Sequence, residues 1–385
     1  MTTPLLLTFP ALATAHSHAF QRGMRGGAQR RGLRGEDDFW TWRGTMYQLA
    51  NALTPESIAR ISRVAFRELR LSGVRTVGEF HYVHHQPDGT PYAQRTLLSD
   101  TVIEAAKAEG LRIALLRVAY HRAGAGKPAE PFQARFCDPS VDAVLSDVDA
   151  LRAKYKNDPD VRVGLAPHSV RAVPPSWLGP LAEYARRHRL PFHMHVAEQT
   201  REIDECVAET GRRPIELLDH LGVLSPEFVA VHATHLTDTE AKLLGAQRSF
   251  ACICATTERD LGDGLPSISA LRAAQVRLCT GVDSHVMTDP FEDMRSLETL
   301  ERLRTQSRVT FSPDGVSPAE QLWREASLEG AAACGFPDPG GDVVLRRDHP
   351  SLELVSDEHV LDAIVFGGGP ALVERLEPAP RAATP

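Results

Sequence analysis

Eight short apolar or β-branched runs punctuate the first 280 residues, at 4–15, 74–80, 112–119, 161–166, 190–195, 228–231, 249–254 and 276–280. Longer amphipathic stretches separate them, at 55–71, 98–109, 139–156, 175–187, 200–221 and 238–244. Several of these open on Pro or on a Ser, Thr or Asp cap, as helix N-termini prefer. Runs that are continuously apolar, without alternation, belong to parallel strands covered on both faces. Eight of them alternating with helices predict an α/β fold, a (β/α)8 TIM-like barrel. A doubly wound open sheet is the rival, disfavoured because no GxGxxG or GxxxxGK follows any run.

Beyond the eighth run, helical patterns at 289–304 and 318–334 give way to strand-like pieces at 342–345, 352–355 and 363–366. The expected organisation is therefore a barrel over 1–335, a small β unit over 336–366 packed on it, and a flexible tail over 367–385, rich in Gly, Pro and Ala.

Composition narrows the function classes. The chain has 385 residues, 42% hydrophobic and 24% charged, enough for a sizeable core, with a net charge of −7 spread along its length. Its one basic run, 29–34, lacks interleaved aromatic residues and reads as a solvated loop, so no nucleic-acid partner is expected. No apolar run approaches the roughly 18–20 residues that span a bilayer, so no membrane partner is expected either. The six cysteines form no CxxC pair and lie mostly in apolar runs, which fits reduced core thiols and a cytoplasmic location.

Chemistry in such barrels sits at the C-terminal strand ends. Those ends carry His16 and His18; Glu79, His81 and Tyr82; Tyr120 and His121; His168; His195 and Glu198; His232 and His235; Thr256 and Glu258; and Asp283 and His285. In a strand, residues i and i+2 share a face, so His16 and His18 can point at one ion. His195 and Asp283 would complete a mixed N/O set suited to Zn²⁺ or Fe²⁺. Each element alone is weak; HxH after the first strand, His after the fifth and sixth, and Asp after the eighth form a strong joint signal for a metal site.

Longer stretches accompany this skeleton: HSHAFQRGMRG at 16–26, DDFWTWRGTMYQLANALTPE at 37–56, EFHYVHHQPDGTPY at 79–92, APHSVRAV at 166–173, HMHVAEQTREIDECVAETGRRPIELL at 193–218, VHATHL at 231–236, TTERDLGDG at 256–264 and GVDSHV at 281–286. With them the chain resembles the amidohydrolase superfamily and, within it, the N-formimidoyl-L-glutamate deiminases, from His16 to about Phe366. The resemblance implies a metal-dependent hydrolase barrel with one divalent ion, zinc or iron, on His16, His18, His195 and Asp283. The fourth strand ends in Ala166-Pro167-His168-Ser169, with no lysine there to be carbamylated and bridge two metals.

The implied reaction converts N-formimidoyl-L-glutamate to N-formyl-L-glutamate and ammonia, by attack of metal-bound hydroxide on the imine carbon. Asp283 would accept a proton, His232 would orient the water and share the base role, and Glu198 would protonate the departing nitrogen. Arg43 and Arg171 would clamp the two carboxylates of this anionic amino-acid substrate. Gln21 and Tyr82 would add hydrogen bonds, and His168 would contact the substrate without ligating the ion. The alternative is another deaminase or chlorohydrolase of the superfamily, acting on a purine or triazine-like heterocycle; such a site needs no pair of arginines. A homodimer is expected. Relatives of this kind carry a longer segment before the HxH motif, part of a small β-sandwich, so with fifteen residues ahead of His16 an incomplete sandwich is expected.

Overall fold

The barrel is built from β2 (Leu12–Ser17), β3 (Val74–His81), β4 (Arg112–Ala119), β5 (Val161–Pro167), β6 (Phe192–Val196), β7 (Phe228–His232), β8 (Phe250–Ile253) and β9 (Arg277–Thr280). This computed structural model describes residues 6–30, 37–310, 312 and 315–379. Residues 4–5 of the first run, 31–34 of the basic run and 380–385 of the expected tail lie outside the described residues. The eight strands form one parallel sheet in chain order. It closes where Ser17 bridges Asp283, with the His18 amide donating to the Asp283 carbonyl (2.9 Å) and the Asp283 amide to the His16 carbonyl (3.1 Å). β2, β3 and β4 are buried at every residue, because the interior covers one face and the surrounding helices the other.

Local chemistry sets the helix boundaries. α1 (Phe39–Ala52) starts in a capping box between Asp38 and Thr41, and α2 (Pro55–Leu71) in one between Thr54 and Ser57 with Pro55 in the first turn. The stretch expected as one helix over 200–221 is two, Thr200–Thr210 and Pro214–His220. Gly211 adopts φ 72° as a left-handed C-cap, and Pro214 starts the next helix.

The barrel interior below the site holds Ala13, Ala15, Val229, Val231, Cys252 and Cys279, with Ala331, Ala333 and Phe336 closing the N-terminal end. His193 lies in this interior, its Nε2–H donating to the Ala333 carbonyl (2.9 Å). All six cysteines are free thiols.

A second, antiparallel sheet joins β1 (Leu6–Pro10), β10 (Gly341–Arg346) and β11 (Val373–Pro378). This differs from the expected β unit in three places. Residues 6–10 leave the barrel run and pair with β10; 352–355 contain no strand; and 363–366 lie in a helix, Val360–Gly367. The third strand comes from the segment expected as a tail. Its charged, outward-facing residues Glu374, Arg375 and Glu377 mask it in the sequence, while Val373 and Leu376 pack on the core. Among the described residues, no helix is long and apolar enough to cross a membrane.

Candidate active site

His16 and His18 owe their direction to a bulge. Ala13 and Ala15 face the barrel interior, so strict alternation would send His16 and His18 outward. Between Thr14 and Ser17 the pairing with β3 slips, Thr14 opposite Val77 and Ser17 opposite Glu79, three residues of β2 against two of β3. The extra residue turns both imidazoles inward. Ser17, facing outward between them, donates to Glu79 (2.6 Å) and accepts from His285 Nε2 (2.9 Å); Glu79 also accepts from the Ala19 amide (2.8 Å).

Four donor atoms converge above the bulge. His16 Nε2 lies 3.1 Å from both His18 Nε2 and His195 Nε2, and the latter two are 3.3 Å apart. Asp283 Oδ1 is 3.5 Å from His16 Nε2 and 3.4 Å from His18 Nε2. A tetrahedral ion with bonds of about 2.0–2.1 Å requires edges of roughly 3.3–3.4 Å, so these donors fit one. Two of the three rings are fixed through the nitrogen away from the centre: His18 Nδ1–H donates to the Phe80 carbonyl (2.8 Å) and His195 Nδ1–H to the His168 carbonyl (3.0 Å), while His16 Nδ1 is buried with no partner among the described residues. A carbonyl only accepts, so both rings turn an Nε2 lone pair to the centre. Burial holds His16 at about 3 and lowers His18 and His195, which keeps the imidazoles neutral, the ligand form. Burial would raise Asp283, but the hydrogen bond with His16 and the neighbouring histidines hold it well below the usual carboxylate range.

Gly281 is the space that admits this cluster. A Cβ there would stand 2.8 Å from His16 Cβ and Cys254 Sγ and 3.0 Å from Cys252 Sγ. Gly281→Ala is expected to lower stability by about 1–3 kcal/mol through overpacking and to reduce bound metal by displacing His16. Thermal unfolding and metal content per chain check this; unchanged values for both would contradict it.

Beside the four donors stands a proton-carrying group. His232 ends β7 with φ 70°, and Asp283 follows β9 with φ 53°. These left-handed turns at non-glycine residues aim the side chains across the barrel mouth. His232 Nδ1–H donates to Glu258 Oε1 (3.2 Å), while Nε2 faces Glu198 Oε1 (3.6 Å) and Asp283 Oδ2 (3.9 Å). Burial alone would lower the His232 pKa; Glu198, the bond to Glu258 and Asp283 outweigh it and hold the imidazole above its usual range. Burial lifts Glu198 above the usual carboxylate range, against the pull of His232 and Arg171.

The remaining candidates line one cavity over this cluster, together with Phe39, Trp42, Tyr47 and Tyr120. Gln21 Nε2–H donates to the Tyr82 hydroxyl (2.8 Å), and Gln21 Oε1 is buried with no partner among the described residues. His168 packs edge-on against Tyr120 and lies 4.8 Å from the His195 ring, outside the four-donor cluster. Arg43, on α1, bonds Tyr47 and Tyr120 through Nε and Nη2 (2.7 and 3.2 Å) and, among the described residues, faces no carboxylate. Arg171 is not equivalent: its Nε donates to the buried Glu202 (3.3 Å), so part of its charge is already balanced.

Sequence reasoning missed Tyr47, Gln133, Asp263 and Glu202. Tyr47 stands four residues after Arg43 on one helix, a spacing that places the two on one face and was available as a signal. Gln133, in a 3-10 segment, offers no such signal. Asp263 comes within 4.8 Å of Glu198 and His232 from between Gly262 (φ 70°) and Gly264 (φ 125°).

A parallel barrel that gathers three imidazoles and a carboxylate at its strand ends, next to a buried His–Glu pair, defines a metal-dependent hydrolase. The chain belongs to the amidohydrolase family, whose model matches residues 7–344, and it is a hydrolase of carbon–nitrogen bonds. It is 37% identical, over 94% of its length and 81% of the relative's, to the formimidoylglutamate deiminase of Pseudomonas aeruginosa. It is 29% identical to the 8-oxoguanine deaminase of the same organism, over 87% of this chain and 72% of that one. Among solved structures, an amidohydrolase from Brucella melitensis superposes with a TM-score of 0.87 at 32% identity, covering 96% of this chain and 84% of that one. An adenosine deaminase from Xanthomonas campestris with bound zinc shares the fold, with a TM-score of 0.80 at 22% identity, covering 97% and 80%.

Proposed function

We propose that the chain hydrolyses N-formimidoyl-L-glutamate to N-formyl-L-glutamate and ammonia, with one zinc ion held by His16, His18, His195 and Asp283. The observation that carries this reading is Arg43: a partly buried guanidinium lining the same cavity as the four donors, with no carboxylate partner among the described residues. Burying an unpaired charge is costly, so the cavity suits a ligand that brings an anion. The similarity to a formimidoylglutamate deiminase supports the same choice.

An ion so held would lower the pKa of a water molecule from about 15.7 toward about 7 and supply the nucleophile at neutral pH. Asp283 Oδ2, held ionised, would take a proton from that water, and His232 Nε2, 3.9 Å from it and already carrying a proton, would orient the water by a hydrogen bond rather than share the base role. Glu198, carrying a proton in its buried setting, gives it to the nitrogen that leaves as ammonia when the C–N bond breaks. Arg43 binds one substrate carboxylate; Arg171, its Nε committed to Glu202, offers its remaining N–H groups to the other. Gln21 presents its unpartnered Oε1 to a substrate N–H.

Ammonia release, measured in parallel with formimidoylglutamate, 8-oxoguanine and an aminotriazine, tests the assignment. Release from the first is expected; release from only a heterocycle would replace it with the second reading, a heterocycle deaminase, which the 8-oxoguanine deaminase relative favours. Arg43→Met is expected to raise KM about 10- to 100-fold, the loss of a charge-assisted contact, with metal content unchanged. An unchanged KM would remove Arg43 from the carboxylate site.

A further inference from the structure

Tyr47, Tyr120 and Gln133 surround Arg43 in an arrangement that leaves protons over. Gln133 Oε1 accepts from the Glu130 amide (2.9 Å), which fixes the side-chain amide and makes its Nε2 the donor. That Nε2 donates to both phenolic oxygens, at 3.1 Å to Tyr47 and 2.7 Å to Tyr120. Arg43 donates to the same two oxygens, from Nε at 2.7 Å and from Nη2 at 3.2 Å. A hydroxyl oxygen has two lone pairs, so each phenol already accepts its full complement of N–H bonds.

Only the 3.2 Å contact between the two hydroxyls remains for their own protons. Whichever phenol donates across it, at least one O–H is left without an acceptor among the described residues. Tyr47 and Tyr120 are 8% and 1% exposed, and both line the cavity that holds Arg43, His168 and the four donor atoms. Burial raises the Tyr120 pKa, which keeps its proton in place. The wall thus presents a guanidinium with unused N–H groups and a spare phenolic O–H, and among the described residues no acceptor to match them. Such a wall is complementary to an anion.

We propose that Tyr47 and Tyr120, locked by Gln133, form with Arg43 the subsite for one substrate carboxylate, a phenolic O–H donating to it directly. This rests on the formimidoylglutamate reading and goes beyond it by adding two specificity-determining residues and one positioning residue, Gln133. The carboxylate takes one oxygen to Arg43 and the other to the phenol. A neutral heterocycle in the same place would leave both donors unmatched.

The test uses Tyr47→Phe, Tyr120→Phe and the double variant in the metal-loaded enzyme. Substrates are formimidoylglutamate and two truncated analogues, the N-formimidoyl derivatives of 4-aminobutyrate and of L-2-aminobutyrate, which lack the α- and the γ-carboxylate respectively. The double variant is expected to raise KM for formimidoylglutamate about 10- to 100-fold with little change in kcat. For the analogue that lacks the carboxylate held here, it should cause no further loss. Equal proportional losses on all three substrates, or an unchanged KM, would overturn the proposal.

Phenols that act only by steadying Arg43 would lose their effect once Arg43 is gone. Tyr47→Phe and Tyr120→Phe are each placed on Arg43→Met, and at least one should still raise KM severalfold if a phenolic O–H touches substrate; no further rise from either overturns direct donation. Thermal unfolding and metal content confirm that each variant is folded and loaded. Calorimetric binding of glutarate keeps the two readings separate. Should formimidoylglutamate not be turned over, a glutarate affinity that falls in the double variant supports the carboxylate subsite alone, and one that does not fall overturns it.

Discussion

Glu198→Gln is expected to lower kcat about 10³-fold while leaving metal content, thermal stability and KM nearly unchanged. Glutamine keeps the shape and hydrogen-bonding capacity of a protonated glutamate but has no proton to transfer. The variant therefore removes proton delivery and little else. Glu198 is only 5% exposed and stands 3.6 Å from His232 Nε2, so the substitution leaves the four-donor cluster intact.

The pH profile gives an independent reading of the same group. Burial raises Glu198, so its acid form persists above the usual carboxylate range. Because that acid form is the active one, kcat/KM should fall as pH rises through the Glu198 pKa in the free enzyme. Glu198→Gln should lose that alkaline limb. A variant that keeps the wild-type limb, or keeps kcat within a fewfold, would assign proton delivery elsewhere; Asp263, within 4.8 Å and raised by burial and by Glu198 itself, is the next carboxyl in line.

The four-donor cluster was legible because it depends on strand order and strand ends. Eight apolar runs set the barrel, and the barrel decides that His16, His18, His195 and Asp283 meet, across more than 260 residues of chain, at one mouth. What periodicity could not show is register. The i, i+2 rule places His16 and His18 together but not on the inner face; a bulge between Thr14 and Ser17 does that, and it exists only in the pairing with β3. The left-handed turns at His232 and Asp283 are equally silent in the sequence, since neither residue is glycine. Arg171 shows the same limit in electrostatic terms. Residue type and position made it look equal to Arg43, and only the fold reveals Glu202 beneath it. The third strand of the small sheet was hidden by its own edge: charged residues on the open side make Val373–Pro378 resemble a solvated tail.

His16→Ala is expected to remove most of the bound metal and, with it, nearly all turnover. His16 Nε2 lies 3.1, 3.1 and 3.5 Å from the other three donors of the cluster. Without it, two imidazoles and one carboxylate remain, an open set with one corner missing. Loss of a partner behind a ligand typically costs 10–100-fold in affinity, so loss of a ligand itself should cost about 10³-fold or more. The ring is also buried against Phe80, with centroids 5.0 Å apart, and its removal leaves a void. Stability must therefore be separated from metal binding. The wild-type protein should gain thermal stability on adding zinc to the metal-free form, because an ion that binds only the folded state shifts unfolding by mass action. His16→Ala should begin somewhat lower and gain little at the same zinc concentration. Arg43→Met, on the cavity wall, should gain as much as wild type. Metal analysis after dialysis and the paired unfolding curves decide the matter: a His16→Ala protein that retains one ion per chain and the full zinc-dependent shift would contradict His16 as a ligand, and equal losses in both variants would contradict the division between ion-holding and substrate-holding residues.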